Sequence, residues 1–423
     1  MRPQFHFTAK RGWINDPHGI TFHEGRYHQF HQFVPDSMVW QPDCRWGHAA
    51  GSDLFSLEHR RVALAPGDGD DGIWTGSLVI DDAGMTRIFY TSVVQPDIGI
   101  GRIRVATPLD ADWNSWLKGD LLIEAPTELP IIAYRDPFVF RDGPQWRMYV
   151  GAGLNDGTAT ALGYISKDLE HWTLEGIAAQ RSTNEREPVW MGALWECPQL
   201  IEIAGRHVLV SSVWDADVLY YAGYGIGSVT GGEFSAETWG RLTYGPSYYA
   251  PSFFRDSAGR PCLMFWMRGV ADAEAGWSSA HSIPYVLGLQ GDRLTATPHP
   301  DLERYRHDGS ALGNAVDLVW MPGTGGTLTV AEGHVPRCVI TASAELVRVV
   351  VEGTDPLECP RVDDGQVRII IDGPVLEIVT DGVLLGSSIP PIAEITIQAS
   401  GMVEIHPLIN VRRSKTAAKP DLD

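Results

Sequence analysis

Three carboxylates stand in surroundings suited to acid-base chemistry. Asp16 lies in Trp13-Ile14-Asn15-Asp16-Pro17-His18-Gly19, Asp136 in Tyr134-Arg135-Asp136-Pro137-Phe138, and Glu196 in Leu194-Trp195-Glu196-Cys197-Pro198-Gln199. Gathered in one aromatic-lined site, such groups are costly unless they share protons, accept hydrogen bonds or meet a developing positive charge. Glycosidic bond cleavage uses that arrangement: one carboxyl protonates the leaving oxygen, and one carboxylate attacks or activates water under an oxocarbenium-like transition state. Local surroundings suggest a division of roles. Glu196, between Trp195 and Cys197, has the least polar neighbours and is the candidate acid/base with a raised pKa. Asp16 follows Asn15 in what reads as a tight Pro-x-Gly turn feeding a strand, whose backbone N–H groups would keep it ionised as a nucleophile. Arg135 would keep Asp136 charged, which suits hydroxyl binding and transition-state stabilisation. Taken singly, each is equally readable as a capped or salt-bridged strand-end carboxylate.

The elements that must position these groups are strands. Short runs rich in Val, Ile, Tyr, Phe and Trp are separated by Gly, Asp, Asn and Pro, and long amphipathic helical patterns are almost absent. Turns at His23-Glu24-Gly25, Asp82-Ala83-Gly84, Arg141-Asp142-Gly143 and Ser257-Ala258-Gly259 join apolar runs into hairpins. The hairpins recur at roughly 55 to 60 residues through about residue 300, which divides that region into five comparable units. A radial β-propeller accounts for the recurrence and brings polar residues near the strand starts toward one funnel; two stacked sheets or a β-helix are the alternatives. One short helix is expected over residues 54–60. From about Arg304 the texture turns Gly-rich, and strand-like runs at 344–351, 366–371, 375–380, 383–385 and 393–397 predict a second antiparallel unit or sandwich. The stretch from Val411 onward is polar and expected to fray.

Composition narrows the partners. The 423 residues carry 33 Lys plus Arg against 53 Asp plus Glu, a formal charge of -20, with no segregated basic stretch. Such a field repels nucleic acid and anionic membrane. The 15 Trp suit a site that stacks on sugar rings, although a tryptophan-rich core gives the same count. Five widely spaced cysteines without a C-x-x-C read as reduced, mostly buried residues. With Met1 as the native start, the absence of an apolar leader and of any run of about 18 apolar residues predicts a soluble, cytoplasmic protein. No metal or other cofactor is expected, because no histidines have ligand spacing and His28-x-x-His31 suits packing or hydroxyl binding better than zinc. A monomer and a symmetric homodimer both fit the acidic surface.

Together the three motifs resemble glycoside hydrolase family 32, the β-fructofuranosidases that include invertases, levanases and inulinases. The family's Trp-Met/Ile-Asn-Asp-Pro-Asn-Gly motif matches Trp13 to Gly19, its Arg-Asp-Pro motif matches Arg135 to Pro137, and its Glu-Cys-Pro motif matches Glu196 to Pro198. Asp16 is then the implied nucleophile, Asp136 the stabiliser and Glu196 the acid/base. Gln32, Trp46 in Trp-Gly-His, Trp74 and Ser77 in Trp-Thr-Gly-Ser, and Trp266 also match; with Trp13, Asn15, Trp40 and Arg135 they are the candidate sugar-binding residues. IIIDGPVLEIVTDG, from Ile369 to Gly382, resembles a strand pair of the family's C-terminal sandwich. His18 departs from the family's second Asn, and the region after residue 305 is short for its sandwich and linker.

The resemblance implies an all-β chain with a five-bladed β-propeller over 1–304 and a shortened β-sandwich over 305–423. It also implies a retaining double displacement releasing terminal β-D-fructofuranosyl units from sucrose-like fructosides, fructo-oligosaccharides or fructans. The two reacting carboxyls of a retaining enzyme stand about 5 to 5.5 Å apart. A fructosyltransferase, a hydrolase of another furanoside such as arabinan or a difructose anhydride, and a non-catalytic carbohydrate-binding propeller are the competing readings.

Overall fold

The structure, a computed structural model, describes residues 1–309, 311–362 and 365–410; the expected frayed tail from Val411 lies outside them. The alternation of apolar and polar residues builds strands throughout. The first unit runs through β1 (Gly12–His23), β2 (Arg26–Val34), β3 (Arg45–Gly51) and β4 (Glu58–His59). Four-stranded antiparallel sheets follow: β5 (Gly72–Ile80), β6 (Thr86–Val93), β7 (Arg102–Pro108) and β8 (Trp116–Ile123); then β9 (Ile131–Asp142), β10 (Gln145–Leu154), β11 (Thr158–Ser166) and β12 (Thr173–Ser182). A third such sheet holds β13 (Leu194–Ile203), β14 (Arg206–Asp215), β15 (Val218–Thr230) and β16 (Glu233–Arg241). After the short β17 (Thr243–Tyr244) come β18 (Tyr248–Arg255), β19 (Pro261–Asp272), β20 (Trp277–His281), β21 (Tyr285–Gln290) and β22 (Arg293–Pro298). These five units of chain begin at Gly12, Gly72, Ile131, Leu194 and Tyr248, close to the spacing that the hairpin pattern predicts.

All four expected turns close hairpins. In the first, Glu24 and Gly25 both take positive φ (47° and 79°), which matches the twist of a two-residue connection between β1 and β2. β20 lies between β19, its antiparallel partner, and β1, to which it is parallel, so the first and last units share one nine-stranded sheet.

The later region contains β23 (Ala315–Met321), β24 (Gly325–Glu332), β25 (Val335–Ser343), β26 (Leu346–Val351), β27 (Leu357–Pro360), β28 (Val367–Asp372), β29 (Val375–Thr380), β30 (Val383–Ser388), β31 (Ile395–Ala399) and β32 (Met402–Pro407). They form a six-stranded sheet, which also takes in β17 beside β30, and a five-stranded sheet. Alternate apolar residues of the two, including Trp320, Leu328, Ile340, Val349, Ile369 and Ile378, share one core.

One expectation fails. Residues 54–60 form no helix: Leu54, Phe55 and Leu57 are buried in a bend before β4, because their apolar side chains are taken by the core shared with Phe5 and Phe7. Among the described residues the helical element is instead a 3-10 turn, Pro300–Tyr305, at the place where the texture of the sequence changes. At the chain start, backbone N–H groups of Gln4, Phe5 and His6 donate to Asp372 at the end of β28. No helix among the described residues is long and apolar enough to cross a membrane.

Candidate active site

The carboxylates sit at defects in strands. On β1, Asn15 and Asp16 together oppose the single Gln32; on β9, Asp136 and Pro137 oppose Val150; on β13, Cys197 and Pro198 oppose Ser211; on β18, Ala250 and Pro251 oppose Phe265. β5 has a corresponding extra residue at Thr75. Bulges re-aim side chains, and proline, lacking an N–H, is at home where the ladder is interrupted. Asp136, Cys197 and Ala250 take φ of 62°, 49° and 47°, a left-handed conformation uncommon for residues with a Cβ. WINDPHG is therefore not a turn before a strand, as its Pro-x-Gly suggests, but part of the 12-residue β1 itself.

Hydroxyls and carboxylates of neighbouring sheets satisfy the freed backbone groups. Thr91 Oγ1 accepts from Asp136 N (2.8 Å), Ser212 Oγ from Ala250 N (3.1 Å), and Asp136 Oδ2 from Cys197 N (2.9 Å). Each of these bonds ties one sheet to the next.

Around Cys197 the three carboxylates converge: its Sγ lies 3.9 Å from Asp16 Oδ2 and 3.6 Å from Asp136 Oδ2, and Glu196 is the preceding residue. Asp16 accepts Asn15 Nδ2 at 3.0 Å on Oδ1, and Thr75 Oγ1 at 2.7 Å and Gln32 Nε2 at 3.3 Å on Oδ2. Side chains thus supply donors to both of its oxygens. Burial raises its pKa, opposed by Thr75, Asn15, a backbone N–H and Arg135. Asp136 is pushed up to about 7, by burial first and then by Glu196 and Asp16, with Arg135 and the Cys197 N–H opposing. Arg135 does not keep it charged because the guanidinium turns to Glu196 Oε1, at 3.2 Å.

Glu196 is correspondingly more polar in its contacts than Trp195 and Cys197 suggest. Trp195 points into the core and donates to Met191 O, while Tyr249 OH donates to Glu196 Oε2 at 2.6 Å. Burial still raises the Glu196 pKa, with Arg135 and Tyr249 opposing. The Cys197 thiol is raised well above its ordinary value by burial and the carboxylates, which keeps it protonated.

Among the candidate sugar-binding residues, Asn15 and Gln32 touch Asp16 directly, and Trp13 Nε1 donates to Asn15 Oδ1 (3.0 Å). Trp13 also packs edge-on against Trp266, which in turn meets Tyr249. Arg135 lies over Trp74, and the exposed Trp40 packs edge-on against the same ring. Two candidates are placed elsewhere. Trp46 is fully buried, donates to Trp74 O and packs on His18 and Phe30; the Ser77 hydroxyl accepts from Val139 N, joining β5 to β9. Trp113, Trp195, Trp277 and Trp320 are likewise core residues, so much of the tryptophan count is structural. Thr75, Tyr249 and Cys197 touch the carboxylates without having been singled out. The signal for Tyr249 is present: Ala250-Pro251 repeats the residue-Pro pattern of Asp16-Pro17, Asp136-Pro137 and Cys197-Pro198.

His28 Nδ1 hydrogen-bonds His48 Nε2 at 3.0 Å, and His31 is buried against Phe7 and Phe33. Among the described residues, Asp256, Cys262 and His299 bring ligand-type atoms within 4.8 Å of one another. There Asp256 Oδ2 already accepts Arg260 Nε (2.5 Å) and His299 Nε2 (3.0 Å), so a guanidinium takes the place of a metal cation. The five cysteines are all unpaired and buried.

The family model described as "Glycosyl hydrolases family 32 N-terminal domain" matches residues 6–298. A sucrose-6-phosphate hydrolase of Zymomonas mobilis is 31% identical over 328 residues, covering 72% of this chain and 63% of the relative. A fructan 6-exohydrolase of Triticum aestivum is 30% identical over 357 residues, covering 72% and 58%. The chain thus spans less than two thirds of the length of these relatives. In fold it matches the Bombyx mori GH32 beta-fructofuranosidase (TM-score 0.84, 24% identity, 96% of this chain and 94% of that one) and the sucrose-6-phosphate hydrolase from Lactobacillus gasseri (0.82, 20%, 96% and 93%).

Proposed function

The chain belongs to glycosyl hydrolase family 32, and from that premise we propose that it is a retaining β-fructofuranosidase releasing terminal β-D-fructofuranosyl units from sucrose-like fructosides or fructo-oligosaccharides. The observation that carries this reading is the convergence of Asp16, Asp136 and Glu196 about Cys197, with different partners on each. In this mechanism Asp16, aligned by Asn15, Thr75 and Gln32, attacks the anomeric C2. Glu196, whose pKa burial raises, delivers its proton to the leaving oxygen and then takes one from the water that cleaves the fructosyl-enzyme. Asp136 holds sugar hydroxyls, and the repulsion from Glu196 and Asp16 that adds to burial in raising its pKa is relieved as positive charge develops on the ring.

The architecture we infer is a five-bladed propeller over 1–304 followed by a shortened sandwich over 305–423. It is supported by contacts between leading strands in sequence, β1 with β5, β5 with β9, β9 with β13, and β13 with β18, with β18 also against β1. The shared core of the two later sheets supports the second part.

The test is product analysis with sucrose, sucrose 6-phosphate, short fructosides, inulin and levan, with methanol added as acceptor. Fructose release and a methyl fructoside of retained β configuration are expected. Glu196→Gln should lose turnover on sucrose far more than on a fructoside with an activated leaving group. Products longer than the substrate would make the protein a transferase, and release of another sugar without fructose would overturn the reading.

A further inference from the structure

The bulge that carries the proposed nucleophile has an unusual support. Where two residues of a strand oppose one, a backbone group is left out of the ladder, and a buried carbonyl needs another partner. At Asn15 that partner is His281: Nε2 lies 2.8 Å from Asn15 O. His281 ends β20, the strand that joins β19 to β1, and its Nδ1 lies 2.6 Å from Gln29 Nε2 on β2. Gln29 and His281 therefore come from the strands on either side of β1 and meet at the bulge.

The protonation pattern follows from the partners. A carbonyl oxygen only accepts, so Nε2 carries hydrogen; Nδ1 is then free to accept from the Gln29 amide. Full burial, which lowers the His281 pKa to about 4, favours this neutral tautomer across ordinary working pH. The ring has little freedom to turn: it stacks on Phe7 (5.6 Å between centroids, 20° between planes) and meets His31 edge-on. Its backbone N–H donates to Phe7 O at 2.8 Å.

We propose that His281, oriented by Gln29, is a positioning residue that fixes the Asn15–Asp16 bulge and so sets the direction from which Asp16 meets the anomeric carbon. The relay is Gln29 to His281 to the Asn15 carbonyl, and then from the Asn15 amide to Asp16 Oδ1. It touches neither substrate nor leaving group. This rests on the reading of Asp16 as nucleophile.

The test compares His281→Leu, which fills space but cannot donate, with His281→Gln, whose amide can reach the same carbonyl, and with Gln29→Leu. Displacement of the nucleophile predicts that His281→Leu lowers kcat on sucrose by about 10- to 100-fold with KM little changed, and that His281→Gln recovers most of the loss. Gln29→Leu should fall between them. Crystal structures of the variants read the Asp16 carboxylate directly: it should shift in His281→Leu and return in His281→Gln. A kcat for folded His281→Leu within about twofold of the parent, or equal losses in Leu and Gln variants, overturns the proposal. An unmoved carboxylate overturns it whatever the turnover. If the parent releases no fructose, the catalytic reading falls while the crystallographic arm still decides whether His281 positions Asp16.

Discussion

The Tyr249 hydroxyl donates to Glu196 Oε2 over 2.6 Å while Arg135 holds the opposite carboxyl oxygen at 3.2 Å. Both contacts favour the carboxylate form, and burial opposes them and wins, so the Glu196 pKa is raised. A general acid must be protonated in the free enzyme, so its pKa sets the alkaline limb of kcat/KM. Tyr249→Phe removes one of the two opposing contacts, and the limb should move to higher pH. A hydrogen bond to a charged group is worth about 1.5 to 3 kcal/mol and one pH unit about 1.4 kcal/mol, so the move should be about one to two units. A pH-rate profile measures it, and a limb that stays or moves to lower pH contradicts the role given to Glu196.

Asp136 offers a test in which stability and activity move in opposite directions. Its pKa in the folded protein, about 7, lies above the ordinary 3.8, so the native state binds the extra proton. Stability then falls as pH rises from about 4 through about 7, and the full cost is present above that. Asp136→Asn keeps an acceptor for the Cys197 N–H without the charge. Its Tm should exceed the parent's at about pH 8 and lose that advantage near pH 4, while kcat drops by about 10²- to 10³-fold. Calorimetry at the two pH values with parallel turnover assays checks both halves; a lower Tm at alkaline pH would contradict the assignment.

These outcomes depend on features of unequal legibility. The residues that make carboxylates chemically interesting are local, and Pro17, Pro137 and Pro198 mark in sequence the segments where Asp16, Asp136 and Glu196 come together. What a local reading missed is which neighbour each acquires. Arg135 adjoins Asp136 in sequence yet reaches Glu196, because the bulge in β9 turns consecutive side chains apart. Trp195 adjoins Glu196 yet faces the core, since alternate residues of β13 point to opposite sides. Strand existence was legible from β-branched and aromatic runs, whereas the apolar bend at 54–57 imitated a helix because burial there is set by Phe5 and Phe7, distant in sequence.

His18 illustrates a substitution whose sequence context suggested chemistry. In the structure it is buried in β1 against the Trp46 ring (3.9 Å between centroids), and neither ring nitrogen gains a hydrogen bond that offsets its burial. Burial holds its pKa well below the ordinary value, so the ring is neutral. Burying an unsatisfied polar group costs about 1 to 3 kcal/mol, and an apolar replacement of similar size avoids that cost. His18→Leu should therefore raise Tm while leaving kcat close to the parent's. A large loss of kcat in a folded, more stable variant would show instead that His18 acts on Asp16.

His6 carries the opposite case, a buried histidine that is charged. Its Nδ1 lies 2.8 Å from Asp372 and its Nε2 2.6 Å from Glu377, and both partners are acceptors, so both nitrogens carry hydrogen. Burial opposes the cation, but the hydrogen bonds and charges of the two carboxylates outweigh it and raise the pKa to about 9. Tyr248 and Tyr285 each donate to Glu377 Oε2 at 2.5 Å, so the imidazolium joins the chain start, strands β18 and β21, and the β28–β29 pair. The folded pKa exceeds the ordinary 6.5; stability from this cluster is therefore fully present below about pH 6.5 and is lost as pH rises through about 9. Removing the cation leaves two buried carboxylates without it, a loss of about 3 to 5 kcal/mol. His6→Leu should accordingly lower Tm most at about pH 6 and flatten its decline between about pH 6.5 and 9. Thermal unfolding of parent and variant across that window measures both, and a parent Tm that does not fall there would mean that His6 is neutral in the folded chain.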